Sequence, residues 1–258
     1  MGLFLTISPF ALADQWSKTY SITGKPDLRV ETSDANIRVE TWDQNTIEAR
    51  VTTDHYKIGE HDIRIEEHQS GDAVTIEVHY PRIQSSLFSI NVRRSRVEIE
   101  IHLPREGQLN LRTGDGHIQV RNFKGAMKLE SGDGHQDLDA VEGTLQARAG
   151  DGHITATGRF DMLQLHTGDG RIEARALPGS IPADGWDLHA GDGSITLKLP
   201  DNFPADLQLH TGDGHITVDM PLAVEGRLGG RNIRGKLNGG GKILTVHTGD
   251  GSIHLEKS

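Results

Sequence analysis

Cysteine is absent from this chain of 258 residues. That absence excludes disulfide scaffolds, thiolate zinc sites, iron–sulfur clusters and thiol nucleophiles together. Aromatic residues are scarce, with three Trp, three Tyr and six Phe, so a core has to be assembled from Leu, Ile and Val. Cationic residues are outnumbered: 27 Lys and Arg face 37 Asp and Glu, for a net charge of −10 with His neutral. Nucleic acids and anionic membrane surfaces both reward clustered cations, so neither is expected as a partner. Long hydrophobic runs are missing as well. The apolar run at residues 3–12 falls short of the ~20 residues that span a bilayer, and no transmembrane segment is expected in the mature chain.

That short run ends in Ala11-Leu12-Ala13, a small-residue pattern of the kind signal peptidase cleaves. No Lys or Arg precedes it, so residues 1–13 are expected to be the remnant of a secretory signal. The mature protein would begin at Asp14 and act in the periplasm, at the cell surface or outside the cell.

Glycine and histidine are what the chain has in excess, 31 and 14 residues. The tripeptide Gly-Asp-Gly begins at residues 114, 132, 150, 168, 191, 212 and 249; the first three intervals are 18 residues and the next are 23, 21 and 37. Each copy is preceded by alternating apolar residues, as in Leu109-x-Leu111-x-Thr113 and Leu207-x-Leu209-x-Thr211. Each is followed by the opposite phase, as in His117-Ile118-Gln119-Val120 and His215-Ile216-Thr217-Val218. Period-2 alternation on both sides of a glycine pair predicts strand, corner, strand. The glycines are expected to supply positive φ at the corner. A second corner is expected at Gly125, Gly143 and Gly179, with Asp161 in the equivalent place.

One such unit cannot bury its own apolar face, so units must stack in register into a β-solenoid of ~18-residue coils, spaced ~4.8 Å. The expected fold is all-β, with an irregular β-rich N-terminal cap over residues 14–104 and the repeat region over 105–258. In the cap, strands are expected at 27–32, 36–41, 46–53, 62–67, 73–80 and 97–103. A hairpin is expected around Gly71, and a worn corner at Ser33-Asp34-Ala35. The glycine-rich stretch 226–241 is expected to be one degenerate coil, and Glu256-Lys257-Ser258 to blunt the final strand. Gln136 stands where other coils carry Ile.

Stacking turns each repeat position into a ladder. The corner carboxylates are Asp115, Asp133, Asp151, Asp169, Asp192, Asp213 and Asp250. Two residues before the first corner glycine the outward position reads Arg112, Glu130, Arg148, His166, His189, His210 and His247. The position after the corner reads His117, His135, His153, Arg171, Ser194, His215 and Ser252. Three readings are open. The Asp side chains cap their own turns as Asx turns do, with His decorating a solvated face. Alternatively, the seven Asp with His166, His189 and His210 bind divalent cations. Or the stripe binds a glycan or cell-surface ligand. The same groups recurring on coil after coil are unlike an active site, whose members have distinct roles. No enzyme activity and no cofactor beyond a divalent cation is expected.

The Leu-x-Leu-x-Thr-Gly-Asp-Gly-x-Ile units, the Leu-Pro loop before them and the closing Thr248-Gly249-Asp250-Gly251-Ser252-Ile253 resemble the bacterial putative-adhesin β-solenoid family, a domain of unknown function. The resemblance covers roughly residues 27–258. It implies an exported, envelope-associated binding or adhesion module, and it brings no catalytic residues. The alternatives are a self-associating envelope scaffold joined end to end and, more distantly, a polysaccharide-active enzyme. A monomer or weak end-to-end association is expected.

Overall fold

The computed structural model describes residues 14–54, 56–59, 62–81, 96–224 and 230–258, and among them there is no helix. Residues 1–13, where the signal remnant is expected, lie outside the described residues, as do residues 226–229 of the glycine-rich stretch. Seven strands precede the repeats: β1 (Asp14–Ser21), β2 (Asp27–Thr32), β3 (Asn36–Trp42), β4 (Thr46–Thr53), β5 (Arg64–Ser70), β6 (Ala73–His79) and β7 (Val97–Pro104). The regular coils follow as β8 (Glu106–Arg112), β9 (Ile118–Arg121), β10 (Lys124–Ser131), β11 (Gln136–Ala149), β12 (Ile154–Thr167) and β13 (Ile172–Ala176). The remainder is β14 (Trp186–Ala190), β15 (Ile195–Leu199), β16 (Ala205–Thr211), β17 (Ile216–Val218), β18 (Ala223–Val224), β19 (Asn232–Leu237), β20 (Ile243–Thr248) and β21 (Ile253–Lys257).

Each Gly-Asp-Gly corner joins a leading strand, which ends at it, to a trailing strand, which starts from it. Like strands stack in parallel, so the chain builds two walls. On the leading wall Leu111 pairs with Leu129, Leu129 with Ala147 and Ala147 with Leu165. On the trailing wall Ile118 pairs with Gln136, Gln136 with Ile154 and Ile154 with Ile172. The 18-residue sequence period is thus the register of the ladder. Strands β11 and β12 run 14 residues each and contribute to both walls, so all 21 strands join one hydrogen-bonded sheet.

Alternate residues of both walls point inward, and their columns are the core. Leu109, Met127, Leu145, Leu163, Trp186, Leu244 and Leu207 are all buried, as are Ile118, Ile154, Ile172, Ile195 and Ile253 opposite them. Trp186 packs against Phe203, ring centroids 4.8 Å apart, and edge-on to Phe160 at 6.1 Å. Gln136 is fully buried in the Ile column, and its position there has a physical reason. Its Nε2 donates to Ser131 Oγ at 2.8 Å and to the Arg148 carbonyl at 2.6 Å. Two of the smaller pre-corner residues, Ser131 and Ala149, stand on these coils where others carry Thr, which leaves room for the amide. Its Oε1 has no partner.

The corner glycines serve a different purpose from the expected one. None of them has positive φ; that conformation falls at Gly125, Gly143 and Gly179, and at Asn122 and Ala140 among non-glycines of the regular coils. What the corner demands is close approach between coils. A Cβ at Gly134 would stand 1.8 Å from the Gly116 carbonyl oxygen, and one at Gly152 would stand 2.1 Å from that of Gly134. The first corner glycine donates its N–H to its counterpart one coil away, as from Gly132 to Gly114 at 2.6 Å and Gly168 to Gly150 at 2.6 Å. The residue before the corner adds a second tie. Thr113, Thr167, Thr211 and Thr248 each donate Oγ1 to the carbonyl of the last corner residue on a neighbouring coil, at 2.7–2.9 Å. The second corner also differs at Asp161: Phe160 pairs with Gly143, and Asp161 is the extra residue of a bulge.

The stacking order departs from chain order at both ends. The β2–β3 coil lies between β6–β7 on one side and β8–β9 on the other. Its Ser33-Asp34-Ala35 corner stacks on the first Gly-Asp-Gly, since Gly114 N–H donates to the Ser33 carbonyl at 2.6 Å. At the other end β20–β21 is inserted between β14–β15 and β16–β17. The final strand is therefore interior, not a blunted edge. The glycine-rich stretch is not a further coil, because β19 runs antiparallel along β16, and β18 antiparallel along β19. At the N-terminal end β5 runs antiparallel to β6, and β4 and β1 continue antiparallel from β7. The hairpin at Gly71 forms as expected; β1 carried no sequence signal strong enough to be anticipated.

Candidate functional site

The outward position two residues before the corner forms one continuous column on the leading wall, and the register extends it beyond the repeats. Glu66 faces Glu77, Glu77 pairs with Glu31, and Glu31 with Arg112. Arg112, Glu130 and Arg148 follow on successive coils. His166, His189, His247 and His210 come next, and Asn232 closes the column. The chain order of the last two His is thus inverted in space. The column is acidic at one end, mixed in the middle and imidazole at the other.

The acidic and mixed part borders a groove of about 860 Å³. Glu31, Glu77, Arg112, Glu130 and Arg148 line it with His79, Tyr80 and the corner backbone at Gly114, Gly132 and Gly150. Arg112 pairs with Glu130 at 3.7 Å, and both are partly exposed. Burial, and next the Asp34 carboxylate, hold the Tyr80 phenol well above the ordinary range, so it stays a neutral hydroxyl; its oxygen has no hydrogen-bond partner.

At the imidazole end the rings stack. His189 and His247 are parallel with centroids 4.9 Å apart, and His210 lies 4.9 Å beyond. His166 reaches Asp187 at 3.1 Å, and His210 Nδ1 meets Asn232 Oδ1 at 2.6 Å. Desolvation, then the neighbouring His189 and His210, depress the His247 pKa below the ordinary imidazole value.

The corner ladder of Asp115, Asp133, Asp151, Asp169, Asp192, Asp213 and Asp250 is exposed throughout. Asp34 continues it, with a pKa raised by burial and by the next carboxylate, Asp115. Among the described residues these Asp side chains accept no backbone hydrogen bond; Asp213 pairs with Arg231 at 3.2 Å. The expected Asx caps are therefore not what closes the corners, a task the glycine and threonine bonds perform.

The column after the corner is structural. His135 N–H donates to His117 Nδ1 at 3.0 Å, His153 N–H to His135 Nδ1 at 3.1 Å, and Arg171 N–H to His153 Nδ1 at 3.0 Å. Asn36 Oδ1 accepts from His117 N–H at 2.9 Å in the same way, and Ser194 Oγ from Ser252 N–H at 3.3 Å. Each side chain takes an N–H of the neighbouring coil that a regular ladder leaves unpaired. An accepting Nδ1 assigns the Nε2–H tautomer to these imidazoles. His at this position is thus one of three interchangeable acceptors, a role that sequence reasoning missed. The recurrence of Asn, His and Ser at one repeat position was the available signal.

Among the described residues, the one group that brings three ligand atoms within 4.8 Å is Glu66, Glu77 and His79. The corner Asp ladder with His166, His189 and His210 makes no such gathering.

No curated protein matches this chain. Among solved structures it is similar to a putative cell adhesion protein from Clostridium sporogenes, at 14% identity and a TM-score of 0.44, over 96% of this chain and 100% of that one. A putative adhesin from Parabacteroides merdae aligns at 12% identity and a TM-score of 0.47, over 95% and 97% of the two chains. A putative lipid binding protein from Parabacteroides distasonis aligns at 14% identity and a TM-score of 0.40, over 95% of each. The model of the Toastrack DUF4097 family matches residues 107–193. That stretch carries the regular coils and their corners.

Proposed function

We propose that this chain is a non-enzymatic binding module of the bacterial envelope, which presents its leading-wall column to a glycan on a cell surface. The observation that carries this reading is the groove of about 860 Å³, lined from five neighbouring strands by carboxylates, guanidinium groups and a phenol. Carboxylate and guanidinium side chains offer paired acceptors and donors to sugar hydroxyls. One such group per coil, repeated every ~4.8 Å, suits a ligand with its own repeat. The finer architecture fits that use: a β-solenoid of ~18-residue coils with a β-rich N-terminal cap sets one member of the column on each coil. The antiparallel strands at both ends interrupt the parallel stack, which favours a monomer over end-to-end assembly. Export with cleavage after Ala13 is part of the proposal, and mass spectrometry of the protein recovered from its host tests it; a retained Met1 overturns it.

A glycan array on the purified chain tests the binding reading. Binding of one glycan class is expected, weakened at least tenfold in the Arg112→Ala/Arg148→Ala variant and unchanged in Gln119→Ala on the trailing wall. Equal binding in all three proteins, or none in any, would falsify it.

A further inference from the structure

We infer that Glu66, Glu77 and His79 form a binding site for one divalent transition-metal cation of the zinc class, at the acidic end of the leading-wall column. The inference does not rest on the glycan reading.

His79 Nε2 stands 3.4 Å from a Glu77 carboxylate oxygen and 3.7 Å from Oε2 of Glu66. A charge-assisted N–H···O bond is shorter, about 2.7–2.9 Å, and this nitrogen makes no hydrogen bond although it is itself covered, on a side chain that is 40% exposed. The separations instead suit two donors on a common ion. Ligands about 2.0–2.2 Å from a tetrahedral zinc stand roughly 3.4 Å apart. An imidazole nitrogen set between two carboxylates without hydrogen-bonding to either is thus an observation separate from the acidity of the cluster.

The charge arrangement also calls for a cation. Glu66 and Glu77 are directly opposed on antiparallel strands, and Glu31 is the next residue across. Like charges so placed destabilise a sheet. Arg29 pairs with Glu31, and Arg64 holds Oε1 of Glu66 at 2.9 Å. Glu77 makes its ion-pair contact with His79 alone among the described residues. Arg64 thereby turns Oε2 of Glu66 toward the cluster, the way an outer partner commonly orients a metal ligand. One nitrogen and two carboxylates suit zinc better than calcium, which takes about six to eight oxygens. Three protein donors leave a fourth position open. Glu77 and His79 also line the groove, so a bound ion would stand beside whatever the groove holds.

Calorimetric titration of the full chain with zinc chloride at pH 7.5 tests the site. The proteins compared are the native chain, Glu77→Gln, His79→Gln, and a variant with His166, His189, His247 and His210 all changed to Gln. The expected result is a one-to-one event in the native and four-histidine proteins, weakened at least tenfold in Glu77→Gln and His79→Gln. Zinc should raise the melting temperature of the native chain and not of His79→Gln, while calcium does neither. A native chain without a one-to-one event overturns the inference. So does unchanged affinity in both single variants, or loss of the event in the four-histidine variant, which would move the site to the imidazole stack. A negative glycan array leaves all of these outcomes readable.

Discussion

The two histidine columns run on opposite sides of the corner ladder, along different coils for most of their length, and do different work. After the corner, His117, His135 and His153 each accept a backbone N–H from the next coil through Nδ1. Before it, His166, His189, His247 and His210 stack ring on ring, and none of them takes a backbone hydrogen bond among the described residues. A repeated residue is part of the scaffold where its acceptor meets an unpaired N–H of the chain. It is available to ligands or protons where the ladder already satisfies the backbone. Repetition alone does not separate these cases; the corner geometry does.

The corner that joins the flanks is the severest place to break this comparison. Gly152→Ala puts a methyl 2.1 Å from the Gly134 carbonyl oxygen, so both walls must separate there. The expected cost is about 3 kcal/mol or more, read by urea denaturation. Gly59→Ala, which meets open space, should stay within about 0.5 kcal/mol. Equal costs would mean that close approach is not what the corner glycines provide.

Next in size is the acceptor column. His135→Ala removes the partner of His153 N–H and should cost about 1 kcal/mol. His135→Asn should recover most of it, because Asn36 performs that task one end of the column away. If Ala and Asn melt alike, the bond contributes nothing and the two columns are equivalent.

The ring stack should be visible in pH before it is visible in stability. The His247 pKa is depressed in the folded chain. The unfolded chain therefore takes up the proton first as pH falls below ~6.5, and the stability that His247 contributes above that value is lost. Stability of the native chain should fall between pH 7.5 and 5.5, and His247→Gln should show a shallower fall. An identical slope in the variant would remove His247 from the account. At pH 7.5, His189→Ala should change stability least of all, by under about 0.5 kcal/mol, since its ring contacts are partly exposed.

Much of this was legible because the apolar alternation is strict. The inward columns, the strand pairs around each Gly-Asp-Gly and the hairpin at Gly71 follow from period-2 patterning and turn chemistry. The column of Arg112, Glu130, Arg148 and His166 follows as well, since equal spacing in sequence becomes adjacency in a parallel ladder. Its extension to Glu31, Glu77 and Glu66 was not legible. Glu31 and Glu77 join it through partners 81 and 46 positions apart, as Leu28↔Leu109 and Leu28↔Val74 illustrate, and no periodicity links them; Glu66 then follows Glu77 through the hairpin. Gln136 breaks the Ile column in the sequence, and only Ser131 and the Arg148 carbonyl, brought beside it by the fold, account for its place there.

The sequence by itself determined the coil: its length, its two faces, its corner and the side chains each turn presents. Those depend on local alternation and on glycine placed where a Cβ does not fit. Only the tertiary structure decided the order of coils. The β2–β3 and β20–β21 coils carry the same parallel-pairing edges as the others, so the inward pattern would accept them at several levels of the stack. Antiparallel strands β5 and β19 occupy the outer edges of β6 and β16 on the leading wall, which leaves the β2–β3 and β20–β21 coils only interior places. That ordering sets Glu66, Glu77 and His79 at one end of the column and the imidazoles at the other.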